Sequence, residues 1–231
     1  MVERADDVPY LVADPAAGAW LAELTSSARS LKHLYREGAR RLESYEAIVE
    51  ELLARVREGL RVCAVFYGHP GVFVYSSHEA IRRARSEGYA ATMLPAISAS
   101  DCLFADLGLD PARTGLQSYE ATDFVVHGRH LDPTAAVLLW QAGGVGDLGY
   151  PPQNATPERR QVLVDALCRW YPPDHEVVLY EASPYPVLSP VVRSLRLKDL
   201  VATVIPPLAT LYVPPARRPE RDVRAAQLLG L

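Results

Sequence analysis

Four side chains of this sequence have the types and spacing to take up a proton and to hold the anion left behind. Arg41 and Tyr45 stand four residues apart in the stretch RLESY, at the start of a run with helical periodicity, so they share one face and can reach one point in space. Tyr35 precedes them, and Tyr67 closes the apolar run VCAVF. Phenols beside a guanidinium suit a reaction in which a weak acid loses a proton, because a phenolate is a competent base and arginine stays charged beside a developing anion. The same spacing also fits a plain core, with Tyr45 on the apolar stripe of its helix and Arg41 as a solvated charge.

A second candidate is the loop YGHPGVF, which runs from Tyr67 through His69 and Val72 to Phe73. A buried strand that ends in Gly, His, Pro and Gly exposes backbone at its carboxyl end, where open α/β sheets bind ligands. Gly68 and Gly71 permit a ligand to come close to the backbone around His69. The alternative is a loop histidine that bonds nearby backbone. A Gly-rich loop, AGGVGDLG, follows Gln141, but it lacks the spacing of a Walker or dinucleotide fingerprint.

These residues need elements to position them. Leu42, Tyr45, Val49, Leu52, Leu53, Val56 and Leu60 recur at three- and four-residue steps, which predicts an amphipathic helix over 42–60 closing near Gly59. That helix feeds the strand before Tyr67. An extended run is expected at 8–13, stopped by Asp14-Pro15. After the loop, Ser76 and Glu79 have capping-box spacing, and Gly88 suits a left-handed helix end. A strand is expected at 90–94. Pro95 breaks it, and Ser98 with Asp101 caps a helix that stops at Gly108. DPARTG, from Asp110 to Gly115, reads as a linker dividing the chain into α/β halves, residues 1–116 and 117–231. The second half is expected to hold a strand over 137–141, a helix from Thr156-Pro157 to Trp170, and a strand over 176–180. Beyond the Pro-rich stretch SPYPVLSP come a helix around 195–201, a strand over 209–213, and a charged tail or short surface helix.

Bulk properties exclude several classes. With 231 residues, 49% of them hydrophobic, the chain can bury one large or two small cores. A net charge of −4 with 24 scattered Lys and Arg residues argues against nucleic acid, since neutralising phosphates needs a clustered basic face. No apolar run approaches the roughly 20 residues of a membrane helix. Glu3, Asp6, Asp7 and Asp14 occupy the place of a signal sequence, so no membrane partner and a cytoplasmic location are expected. Cys63, Cys102 and Cys168 lie far apart without ligand spacing, so they read as buried thiols and no metal site is expected.

At YGHPGVF, MLPAISASDCLFADLGLDP, QSYEATDF, LLWQAGGVG and TLYVPP, the sequence resembles the tetrapyrrole-methylase superfamily and, within it, the borosin-type peptide backbone α-N-methyltransferases. The resemblance runs from Ala5 to Pro215. It implies a two-domain α/β fold with S-adenosylmethionine in the cleft between the domains, an intertwined homodimer, and methylation of amide nitrogens in a precursor peptide. The family's catalytic pattern falls on Arg41 and Tyr45, with Tyr67 and Tyr35 as further active-site phenols. Its cofactor contacts fall on Tyr67, His69, Val72, Phe73, Ser98, Ala99, Gln141 and Thr210.

Two departures stand out. The family opens with a strand, a Gly-rich loop and a helix, whereas this chain starts at what matches the second strand. Ala96 stands where the family carries Gly, at an expected cost of about 1 kcal/mol if its φ is positive. No apolar core-peptide segment follows TLYVPP, so a separate precursor peptide, in a split system, is expected. The alternatives are a non-catalytic peptide-binding or dimer-partner homologue, or a tetrapyrrole-methylase-family enzyme acting on a small molecule.

Overall fold

The computed structural model describes residues 1–185 and 187–231, and the chain forms two compact units. The first comprises Met1–Cys102 with Leu148–Pro151, the second Leu103–Asp147 with Pro152–Leu231. Both are α/β, as the alternation of apolar runs with amphipathic helices requires.

The first unit is built on parallel strands in the order β2-β1-β3. β1 (Val8–Leu11) leads into α1 (Pro15–Leu24), whose amino end is closed by the Asp14 carboxylate accepting from the Ala16 N–H at 2.7 Å. β2 (Ala28–Ser30) pairs with β1 from Val8↔Ala28, and β3 (Val65–Phe66) pairs with its other edge at Tyr10↔Val65. Arg29 fixes this arrangement. Its guanidinium gives two bonds of 2.7 Å to Asp7, which is 3% exposed, and a third to Glu51. Glu51 belongs to α2 (Arg41–Arg57), whose buried residues Ile48, Val49, Leu52 and Leu53 form two adjacent rows. Ile48 and Leu52 pack with Val62, Ala64 and Phe66, while Val49 and Leu53 pack with Ala84, Tyr89 and Ala91. Arg83 of α3 (Tyr75–Ser86) binds Glu46 and Glu50, which ties the two helices together.

Three expectations for this unit need correction. α3 begins at Tyr75, two residues before the capping box would place it, so Val74 is the N-cap and Ser76 lies inside the first turn. Ser76 and Ser77 instead donate to the carbonyls of Tyr45 and of Pro70 and Val74, and Glu79 pairs with Arg82 and Arg83. Residues 90–94 form no strand, because no neighbour supplies a ladder. Finally, Phe73 and Gln141 are the only non-glycine residues with positive φ among those described, so Ala96 bears no left-handed penalty. Gly88 and Gly108 do adopt positive φ, at 90° and 64°.

α4 (Ala99–Leu107) crosses from the first unit into the second. The expected linker is in fact α5 (Pro111–Thr114), a single turn in which Asp110 accepts from the Ala112 N–H at 2.9 Å. β4 (Leu116–Glu120), α6 (Ala121–Val126), β5 (Ala136–Trp140) and α7 (Pro157–Leu167) follow, then β6 (Glu176–Glu181), β7 (Val191–Arg196), β8 (Thr210–Val213) and α8 (Val223–Leu228). The sheet order is β4-β5-β8-β6-β7. β4 and β5 are parallel and the other pairings antiparallel. β5 is buried at all five positions, which explains its unbroken apolar sequence. The Trp140 indole N–H donates to Ser118 Oγ at 2.7 Å. The helix expected around 195–201 is the end of β7 followed by a 3-10 turn over Leu197–Leu200, since Val191 to Leu195 find a full antiparallel partner in β6. Pro186, within the Pro-rich stretch, lies outside the described residues.

All three cysteines are free and half-buried rather than buried, and burial pushes the Cys63 and Cys168 thiols up. Among the described residues no helix is long and apolar enough to cross a membrane.

Candidate functional site

The amino end of α2 is where the candidate reactive side chains meet. Arg40, the N-cap, makes no side-chain bond there, and a returning segment of chain satisfies the backbone instead. The Arg41 N–H donates to the Leu148 carbonyl at 3.0 Å, and the Gly38 N–H to the Tyr150 carbonyl at 3.0 Å. This return sets the Tyr150 ring 4.7 Å from that of Tyr35. Tyr35 meets Tyr45 edge-on at 6.3 Å and 87°, and Tyr45 stacks with Tyr75 at 6.2 Å. The Tyr75 hydroxyl donates to the Glu46 carboxylate. Tyr67 directly follows β3, with its N–H bonded to the Leu11 carbonyl at 3.1 Å, and the residue is 63% exposed.

Burial pushes the Tyr35 phenol well above the ordinary range, and the neighbouring phenols of Tyr45, Tyr67 and Tyr150 add to the shift while Arg41 opposes it. Burial likewise raises Tyr45, and Arg41 again pulls the other way. Both therefore rest as neutral phenols at neutral pH, with one permanent positive charge placed to favour their ionised forms. Tyr75 and Tyr150 joined this cluster without any sequence signal. Tyr150 arrives from a distant segment by a backbone return, and Tyr75 lies beyond the loop that follows β3.

The YGHPGVF loop folds tightly on itself. His69 Nδ1 accepts from the Gly71 N–H at 2.9 Å, the Val72 N–H donates to the His69 carbonyl at 3.1 Å, and His78 Nε2 lies 2.9 Å from the Gly71 carbonyl oxygen. His69 is thus a loop histidine bonded to nearby backbone. A Cβ on Gly71 would stand 2.9 Å from Met93 Sδ and 3.1 Å from His69 Cε1, so the turn admits no side chain without a shift. Phe73 holds a φ of 56° with its ring half exposed. A left-handed aromatic residue costs about 1–2 kcal/mol, and such outliers gather at ligand clamps.

Ser98 closes α4 as expected. Its N–H and hydroxyl both reach Asp101, at 2.7 and 2.6 Å, and these bonds hold the Asp101 carboxyl below its ordinary value. Ala99 follows, exposed.

In the second unit, Gln141 is the other left-handed non-glycine residue, at φ 56° and ψ 35°. It heads a 3-10 turn, and the following residue, Ala142, donates its N–H to the Ala209 carbonyl at 3.0 Å. Thr210 opens β8, buried, opposite Tyr180. A Cβ on Gly143 would stand 2.0 Å from the Pro206 carbonyl oxygen. The Gly-rich loop is therefore a close backbone crossing, which sets Gln141 beside the start of β8. A cavity of about 740 Å³ in this unit, between Phe104, Leu116, Tyr212 and Arg217, contains none of the candidate residues.

Two α/β units, one with a cluster of phenols around the amino end of α2, define a class that comparison with known proteins makes specific. The family model of tetrapyrrole (corrin/porphyrin) methylases matches residues 1–186, and the chain belongs to that family. It is 41% identical over 236 residues to a methyltransferase and ribosomally synthesised cyclic peptide (gymnopeptides) precursor of Gymnopus fusipes, covering 99% of this chain and 56% of that protein. It is 39% identical over 234 residues to the corresponding omphalotin A precursor of Omphalotus olearius, covering 100% and 56%. The chain thus spans about half the length of these relatives, whose names join methyltransferase and precursor in one protein. Among solved structures, uroporphyrin-III-C-methyltransferase from Thermus thermophilus matches with a TM-score of 0.59 at 22% identity, covering 93% of this chain and 82% of that one. A cobalt precorrin-4 methyltransferase of cobalamin biosynthesis matches with the same TM-score, 0.59, at 16% identity, covering 92% and 85%. These two likenesses establish the fold.

Proposed function

We propose that this protein transfers methyl groups from S-adenosylmethionine to backbone amide nitrogens of a ribosomally made peptide. The observation that carries the reading is the cluster of Tyr35, Tyr45 and Arg41 at the amino end of α2, with Tyr67 exposed just after β3. The names of the relatives from Gymnopus fusipes and Omphalotus olearius support it.

The residues present suit the cofactor. Tyr67 and Phe73 offer rings 63% and 50% exposed at one loop, which a flat heterocycle or a sulfonium cation would cover favourably. Gly71 keeps the backbone of that loop free of a side chain. Tyr67, His69, Val72, Phe73, Ser98 and Ala99 in the first unit are the proposed contacts. When bound, the cofactor supplies an electrophilic methyl group.

The chain's own work concerns the amide. An amide N–H is far too weak an acid to ionise at neutral pH, so its nitrogen becomes nucleophilic only as the proton leaves and the carbonyl oxygen gains charge. A phenol of the Tyr35, Tyr45 and Tyr67 set receives that proton in its ionised form, and Arg41 holds the charge that grows on oxygen. Burial keeps Tyr35 and Tyr45 protonated and Arg41 opposes this, so the guanidinium serves both demands.

The test is incubation with S-adenosylmethionine and a candidate apolar precursor peptide supplied in trans, read by mass spectrometry as gains of one methyl group localised to backbone nitrogen. Arg41→Ala should slow transfer by about 100-fold, the effect of removing one oxyanion-stabilising group, while cofactor affinity in calorimetry stays unchanged. Cofactor binding without any methyl gain would leave the non-catalytic peptide binder as the surviving interpretation.

A further inference from the structure

The sheet of the second unit has two faces, and they are covered differently. Val137, Leu139, Leu211 and Val213 point to one, where they join the core formed with α6 and α7. The intervening residues take the other face, because successive side chains alternate across a strand. There the register sets Leu116 beside Ala136, and Tyr212 between Leu138 and Val178. α4 reaches this face, where the Tyr180 hydroxyl donates to Asp106 Oδ2 at 2.6 Å. The cavity of about 740 Å³ opens beside it, within the roughly 300–1,000 Å³ of small-molecule sites. It lies where β4 and β5 begin and β8 ends, at the opposite end of these strands from Gln141 and Thr210.

Two features of its lining call for a partner. The first is Tyr212, which is 8% exposed. On the same face Trp140 gives its N–H to Ser118 and Tyr180 its hydroxyl to Asp106. The Tyr212 hydroxyl makes no hydrogen bond among the described residues, and burial alone acts on it, raising the phenol. Unlike the Tyr171 hydroxyl, which is fully enclosed, it keeps some accessible surface. A buried hydroxyl without a partner costs stability, and this one can still donate to an acceptor brought into the cavity. The second feature is charge. Arg113, Arg217 and Arg218 line the cavity against a single carboxylate, that of Asp110, which is engaged by the Ala112 N–H. Among the described residues none of the three arginines forms a salt bridge. Arg217 acts only through space on Asp132, whose carboxyl is lowered first by bonds from Thr134. The Ala216 and Arg217 N–H groups donate to the Pro133 carbonyl at 2.9 and 3.4 Å, which holds the segment carrying two of the three charges.

We propose that this cavity binds a small amphipathic organic anion, with its apolar body against Phe104, Leu116 and Ala136, an acceptor atom on the Tyr212 hydroxyl, and a carboxylate or phosphate head among the arginines. Exposure sets the direction of entry. Tyr212 is buried and the three arginines are exposed, so the body goes in and the head stays at the rim. An inorganic anion would leave the apolar wall uncovered, and a neutral apolar molecule would leave the guanidinium groups without a counter-charge. Carboxylate and phosphate share the required chemistry, since both accept paired bonds from a guanidinium.

Calorimetry on the full 231-residue chain tests this with 6-hydroxy-2-naphthoate, 2-naphthoate and 2-naphthyl phosphate as probes, against neutral 2-naphthol. At least one anion should bind about tenfold or more tighter than 2-naphthol, and whichever of 2-naphthoate and 2-naphthyl phosphate binds better identifies the head group. Arg113→Ala combined with Arg217→Ala, both at exposed positions, should remove that advantage. Tyr212→Phe, which keeps the ring, should weaken 6-hydroxy-2-naphthoate about fivefold and leave 2-naphthoate unchanged. Equal binding of anions and 2-naphthol, or unchanged affinities in either variant, overturns the proposal. Displacement of the anions by S-adenosylmethionine would place them in another site and overturns it equally. No methyl transfer is read, so failure here is distinct from failure of the proposed activity.

Discussion

At the scale of single residues, the phenols of the first unit should betray their surroundings when titrated. Burial raises Tyr35 and Tyr45, so in alkaline absorbance titration both should ionise after an ordinary tyrosine, above pH about 10. Because the folded state favours the protonated phenol, the stabilisation is complete below the unfolded value and is lost as pH rises through the folded one. Removing Arg41 should move both titrations further up, since its charge opposes the shift. The i, i+4 spacing of Arg41 and Tyr45 made their common face legible in the sequence. It could not show Tyr150 or Tyr75, which reach the cluster through a backbone return and through α3. Nor could it show that Phe73 and Gln141 would be left-handed, because neither has the chemistry that advertises such a backbone.

Among the elements, the Gly-rich loop after β5 makes the sharpest prediction. Gly143→Ala would drive a methyl group to 2.0 Å from the Pro206 carbonyl oxygen, against backbone that has no rotamer to escape by. The expected loss is about 3 kcal/mol, at the upper end of overpacking costs, read as a lowered midpoint in denaturant. Sequence alone gave this loop no ligand fingerprint, and the structure finds in it a crossing point of two backbone segments. Helices with a strong 3.6-residue period or a cap were the most legible elements, as α2 and α7 illustrate. Strands were harder. Residues 90–94 have strand composition but lack a neighbour, whereas Val191 to Leu195 gain one in β6. Pairing depends on distant segments, and local sequence does not record it.

For the molecule as a whole, acid should be the most damaging change of conditions. In the first unit Asp6 is lowered to about 2 by its bonds from Arg61, and Glu79 to about 2 by Arg82 and Arg83. In Asp7, burial alone would raise the carboxyl, but Arg29 and Arg55 outweigh it and hold it low. In the second unit Asp123 is lowered by Arg129 and Asp174 by Lys198. A depressed carboxylate stabilises the fold above its unfolded value and ceases to do so as pH falls through the folded one. Thermal midpoints should therefore hold near neutrality and drop below pH about 4. Asp7→Asn, which removes the buried carboxylate charge that pairs with Arg29 and Arg55, should cost about 3 kcal/mol at pH 7, and this deficit should shrink in acid. Circular dichroism melts of both proteins across the range would show it. The overall α/β class was legible because apolar runs and periodic helices alternate along the chain. Where one unit gives way to the other was less so, since Leu148–Pro151 belongs to the first unit although its neighbours in sequence belong to the second.

The three tryptophans are divided between the units. Trp20 stands on α1, 59% exposed, while Trp140, 7% exposed, gives its indole N–H to Ser118. Light emitted from Trp20 should be red-shifted and open to soluble quenchers, and that from Trp140 blue-shifted and shielded. With Trp20 or with Trp140 and Trp170 replaced by phenylalanine, each half of the molecule would carry its own optical signal, and unfolding of one could be watched without interference from the other.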